Sequence, residues 1–194
     1  MTGSGEAARA GGRISWRIAR WTAALALLLI PLAMMQVSDQ WHWGLGSFAL
    51  AGAMIGGVGL LYELAERASG SRAYRAGVAI ALVASFVTVW TTIVRDDGNG
   101  MSFFMVIMGA GVGAFAAAFR PAGMARAMIG VSIMQAMLGI AVATAPPTAS
   151  VPDGMPRALA FCGFFIALWL ISAAFFRASA QGDGRPAAAA PAGR

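Results

Sequence analysis

The chain alternates long apolar runs with short polar joints. Six apolar runs stand out, at about residues 18–37, 44–64, 76–94, 101–119, 124–145 and 157–176. An α-helix needs roughly 20 residues to cross ~30 Å of hydrocarbon, and each run is near that length. None of them alternates with period two, which argues against the strands of a β-barrel. The pattern predicts an all-α membrane protein, a small helical bundle of six transmembrane helices that can also be read as three helical hairpins. Residues 16–177 form the transmembrane domain on this reading. Residues 1–15 and 178–194 are small, polar and low in complexity, and are expected to be disordered tails.

The joints carry their own signals. Pro31 falls inside the first run and is expected to kink that helix or end it early. Trp41 and Trp43 flank His42 in the first joint and read as interfacial anchors at headgroup depth. The segment Arg95-Asp96-Asp97-Gly98-Asn99-Gly100 is a turn by composition, and Pro146-Pro147 ends the fifth run. Arginines begin the first run, but no small-residue cleavage site follows it, so it is read as a span and not as a signal peptide.

Charge then orients the bundle. With the N-terminus inside, the inner segments hold Arg9, Arg13, Arg17, Arg20, Arg67, Arg72, Arg75, Arg120, Arg126, Arg177, Arg185 and Arg194, whereas the outer joints hold Arg95 and Arg157. That asymmetry places both termini in the cytoplasm. The acids divide evenly and give no bias. All 14 basic residues are Arg, and only 11% of the chain is charged, with a mean hydropathy of +0.71. Soluble domains carry about 25% charged residues, so the solvent of this chain is lipid. The net charge of +6 does not indicate nucleic acid, because the arginines are spread between apolar runs and form no single patch in sequence.

Small residues mark two helix faces. Gly52, Gly56, Gly59 and Glu63 share one face of the second run, and Gly109, Gly113, Ala116 and Arg120 repeat the same spacing on the fourth. Such stripes let helices approach closely in lipid. The pattern predicts that the second and fourth helices pack together and that Glu63 pairs with Arg120 at the cytoplasmic edge. The alternative is that each charge snorkels at its own helix end. Tyr62-Glu63, Phe119-Arg120 and Phe176-Arg177 recur at a fixed interval. Internal duplication would produce this, and so would six evenly spaced helices.

Chemistry-bearing residues are sparse. No ionisable group sits near a helix centre, where transport and proton-relay sites are found. Gln135 is the mid-helix polar residue. It either lines a polar cavity together with Ser85 or hydrogen-bonds across a helix interface. The lone Cys162 and the lone His42 exclude a disulfide framework and a multi-histidine metal site. Asp39, His42, Asp96, Asp97 and Asp153 gather in the outer joints without an EF-hand pattern. The basic turn with Arg67, Arg72 and Arg75 is suited to lipid phosphates. No catalytic residue, cofactor or metal ligand is expected.

Several stretches together resemble a family of small uncharacterised multi-pass bacterial inner-membrane proteins. They are Ala33-Met34-Met35-Gln36-Val37-Ser38-Asp39, Gly57-Val58-Gly59-Leu60-Leu61-Tyr62-Glu63-Leu64, Ala73-Tyr74-Arg75, Trp90, Phe119-Arg120-Pro121, Gly123-Met124-Ala125-Arg126-Ala127, Phe164-Phe165 and Phe176-Arg177. The likeness covers roughly residues 18–177. It implies a location in the bacterial cytoplasmic membrane and carries no activity with it. The first joint, Gln40-Trp41-His42-Trp43, departs from the pattern, so no role is given to His42. The expected function is that of a non-enzymatic accessory or interaction component. Its partners would be the lipid bilayer and other membrane proteins or a second copy. The alternative is a small transporter or channel for a small or lipid-like solute.

Overall fold

A computed structural model describes residues 18–19, 21–23, 25–26, 28–30, 32–37, 44–95 and 100–183. Among these residues there is no strand, and the chain is all-α. The helices are α1 (Leu45–Ala68), α2 (Arg72–Arg95), α3 (Gly100–Ala116), α4 (Pro121–Thr144), the short α5 (Pro146–Ala149) and α6 (Gly154–Asp183). The described residues between 21 and 37 are also helical. Pro31, the joint at 38–43, the turn residues 96–99 and the tail residues 1–15 lie outside the described residues, as does the end of the chain from 184.

Among the described residues, four helices are long and apolar enough to cross a membrane: Leu45–Arg67, Arg72–Thr92, Pro121–Thr144 and Gly154–Gly182. Their outward faces carry large apolar side chains such as Leu60, Val83, Met137, Phe164 and Leu170, as a lipid solvent requires. The fourth apolar run falls short of its expected length. α3 has 17 residues and ends at Ala116, not at 119.

The cause is a C-cap that hydropathy does not register. The Phe119 N–H donates to the Ala114 carbonyl at 3.2 Å, and the Ala118 N–H to that of Phe115 at 2.8 Å. This is the paired bonding of a Schellman motif, with Ala118 in the left-handed position that glycine normally fills. Ala118 has φ 47° and Phe119 φ 56°. A left-handed residue with a Cβ is disfavoured by about 1–2 kcal/mol. Ala118→Gly is therefore expected to stabilise the protein by about 0.5–1 kcal/mol. A thermal midpoint in detergent that stays level or falls would refute this.

Other boundaries shift for local reasons. α2 starts at Arg72, ahead of the expected 76, because the Ser71 hydroxyl accepts the Tyr74 N–H at 3.3 Å. This is an N-cap. α4 starts at Pro121, a residue suited to a first helical turn. α6 starts at Gly154, directly after Asp153 at φ 57°, and continues past Arg177 to Asp183. A Cβ on Gly154 would collide with the Thr148 carbonyl oxygen, so the tight α5 corner requires glycine there.

The chain divides into two compact units, Met1–Leu61 and Tyr62–Arg194, with the boundary inside α1. In the first, Gly59 lies against the Trp21 indole, where a Cβ would stand 3.4 Å from the ring, and Gly52 faces Leu28. In the second, α6 packs along both α4 and α2, and α3 lies against α4. Gly139 meets Cys162, and Gly77 meets the Phe176 ring. The Ser172 hydroxyl donates to the Gly77 carbonyl at 2.8 Å, and the Ser179 and Ser71 hydroxyls bond at 3.1 Å. On each partner helix, residue numbers rise as those on α6 fall, so α6 runs antiparallel to α2 and to α4. The core between them holds Trp169, Phe165, Phe176 and Met128, each essentially inaccessible.

Candidate functional site

The polar residues inside the second unit are mostly consumed by their own helices. The Ser85 hydroxyl donates to the Ala81 carbonyl at 2.9 Å, Thr88 to Ala84 at 2.7 Å and Ser132 to Ile129 at 2.7 Å. A hydroxyl bonded one turn back is satisfied and offers little to a ligand. Ser85 is half-buried and is therefore placed as a helix-internal group.

Gln135 is different. Its side chain is fully buried, and neither its amide nitrogen nor its oxygen has a hydrogen-bond partner. The Trp169 indole N–H is in the same condition. The register set by Gly139 opposite Cys162 puts Gln135 opposite about residue 166 of the antiparallel α6. That is within one helical turn of Trp169 along the bundle axis. Two orphaned polar groups thus occupy adjacent levels of a densely packed aromatic core. Leaving a buried polar group unpaired costs about 1–3 kcal/mol. Gln135→Leu conserves volume and removes the orphaned amide, so it is expected to stabilise the protein by about 1–2 kcal/mol in a denaturant titration. A loss of stability would show that the amide has a partner in the working protein.

A small cleft of about 30 Å³ lies nearer the other end of α2, lined by Thr91, Thr92, Phe103, Phe161 and Cys162 among others. Its volume suits one or two waters. Gln135 and Ser85 are not among its lining residues. The threonine hydroxyls there donate back to Val87 and Val89, and Cys162 on the same wall is buried.

The predicted seam residues have neighbours within their own units. A Cβ on Gly109 would stand 3.2 Å from the Met134 sulfur, and one on Gly113 would stand 3.0 Å from the Ala127 Cβ, so the fourth-run seam receives α4. Ala116 is exposed, and Gly56 has open space where a Cβ would point. Glu63 is half-buried and pairs with Arg67, one turn on, at 3.7 Å. Arg120 is exposed at the N-cap of α4.

Two close contacts lie outside the predicted seams. Gly139 and Gly77 make tighter approaches than most of the seam glycines. For Gly139 the signal was present, because it shares a face with Met128, Ser132 and Gln135, all buried. Trp169 gave no signal, since an interior tryptophan and a lipid-facing one look alike in an apolar run. Among the described residues, no three His, Cys, Asp or Glu side chains come together. No family profile, curated protein or solved structure matches the chain.

Proposed function

We propose that this chain is a multi-pass protein of the bacterial cytoplasmic membrane that acts as a non-enzymatic accessory or interaction component. The first apolar run and α3 complete six crossings alongside the four long helices, and both termini face the cytoplasm, as the arginine asymmetry favours. Membership of the family of small inner-membrane proteins that it resembles belongs to the same proposal. The observation that carries the functional reading is the interior of the second unit, filled by Trp169, Phe165, Phe176 and Met128 at essentially zero exposure. A core packed in this way serves to hold faces in place and leaves little room to conduct a solute.

The unpartnered amide of Gln135 favours one alternative, a small transporter or channel in which that amide meets a passing polar solute. One experiment separates the two readings. The full chain, tagged and expressed at native level, is purified in mild detergent after membrane crosslinking. A membrane-protein partner or a second copy in fixed ratio is the expected result. Monomeric protein that instead carries a small solute across proteoliposomes would overturn the proposal. Orientation is tested separately: a green fluorescent reporter after Arg194 is expected to fluoresce, and a periplasm-dependent phosphatase inserted after Asp153 is expected to be active.

A further inference from the structure

One end of the second unit gathers arginines that are distant in sequence. The Tyr74 hydroxyl donates to the Phe119 carbonyl at 2.9 Å, which ties the start of α2 to the turn between α3 and α4. Arg75 and Arg120 directly follow these two residues. The Ser71–Ser179 bond and the edge-on contact of Tyr74 with Phe176, centroids 5.2 Å apart, bring the end of α6 to the same place. Arg177 directly follows Phe176. The register then sets Arg72, Arg75, Arg120, Arg126 and Arg177 within a slab roughly 10 Å deep along the bundle axis. Arg67 lies in the last turn of α1, nearby in sequence. At the opposite end Asp153, just before α6, and Arg157, in its first turn, carry opposite charges.

The arginines of this slab differ in what they bind. Arg67 is engaged with Glu63, and Arg75 donates to the Gly70 carbonyl at 3.3 Å. Arg72, Arg120, Arg126 and Arg177 are exposed, and none has a carboxylate within ion-pair distance among the described residues. The acids on the neighbouring stretch are Glu63 and Glu66, and α6 ends at Asp183. Four exposed guanidinium groups that form no ion pair among the described residues, beside apolar faces, match a surface of phosphate diesters. Arginine binds such oxygens through paired N–H donors.

We infer that this end of the bundle is an interaction surface for anionic phospholipid headgroups, with Arg72, Arg120, Arg126 and Arg177 as the phosphate-binding groups. The inference rests on the membrane placement proposed above and adds a lipid preference to it.

The test uses the full chain in detergent with equal amounts of phosphatidylglycerol and phosphatidylcholine, followed by native mass spectrometry of retained lipid. The wild type is expected to retain at least threefold more phosphatidylglycerol. The R72Q/R120Q/R126Q/R177Q variant is expected to fall to parity, while Arg157→Gln at the other end keeps the preference. Equal retention by the wild type, or an equal loss with Arg157→Gln, overturns the inference. Should the fourfold variant misfold, salt decides on the wild type: the preference is expected to vanish at about 0.5 M, where charges are screened beyond a few ångströms. A salt-independent preference overturns it as well. Release of the protein from membranes by alkaline carbonate would instead remove the membrane placement itself, an outcome separate from lipid parity.

Discussion

Trp169→Ala is expected to destabilise the protein by about 2–4 kcal/mol, and Trp169→Phe by less than about 1.5 kcal/mol. Trp169 is fully buried between α2, α4 and α6, in a cluster with Phe165, Val131 and Met128. In water such a truncation costs about 3–5 kcal/mol, part of which is the transfer of the lost atoms out of solvent. In lipid that transfer part shrinks, because the tails are as apolar as the core. What remains is the cavity and the lost dispersion contacts, which sets the lower range. Phenylalanine keeps most of the ring and removes the unpartnered indole N–H, so part of its packing loss is offset. Denaturation with sodium dodecyl sulfate, followed by far-ultraviolet circular dichroism, reads both variants. Equal losses for alanine and phenylalanine would place the role of Trp169 in its N–H and not in its bulk.

This contrast explains what was legible in the sequence. Hydropathy and length located the apolar segments and the all-α class, because a helix must close its own backbone hydrogen bonds in lipid. They located ends less well, because ends depend on single bonds. The Ser71 cap moved the start of α2, and the left-handed Ala118 stopped α3 early. A seam of glycines could be recognised, but not which helix would enter it. Helices in a membrane are apolar all round, so the 3.6-residue pattern that marks a buried face in soluble proteins is weak. The same weakness hid Trp169 and left Gln135 visible only as a polar exception. The arginine cluster was legible as a topology signal, whereas its convergence needed the Tyr74–Phe119 and Ser71–Ser179 bonds.

Gly139→Ala is expected to cost about 2 kcal/mol, even though replacing a helical glycine by alanine ordinarily gains about 1 kcal/mol. A Cβ at this position would stand 2.7 Å from the Cys162 Cβ and 2.9 Å from its sulfur. The Cβ is fixed to the backbone, the sulfur can turn about one bond only, and Cys162 is itself buried. The methyl group can be admitted only by moving α4 away from α6, which loosens the aromatic core that both helices enclose. Gly130 lies on the same helix with open space where its Cβ would point, so Gly130→Ala is expected to show the ordinary gain. The opposite signs separate contact from propensity within one helix. Exchanging the two partners isolates their contact. Cys162→Gly removes the obstructing Cβ, and in the double variant the helix-propensity gain at position 139 exceeds the smaller loss at position 162. That variant is expected to recover at least half of the stability lost by Gly139→Ala, with a coupling energy of about 1–2 kcal/mol from the full cycle. Strict additivity of the two substitutions would show that α4 and α6 do not meet at this pair, and the register that places Gln135 beside Trp169 would fall with it.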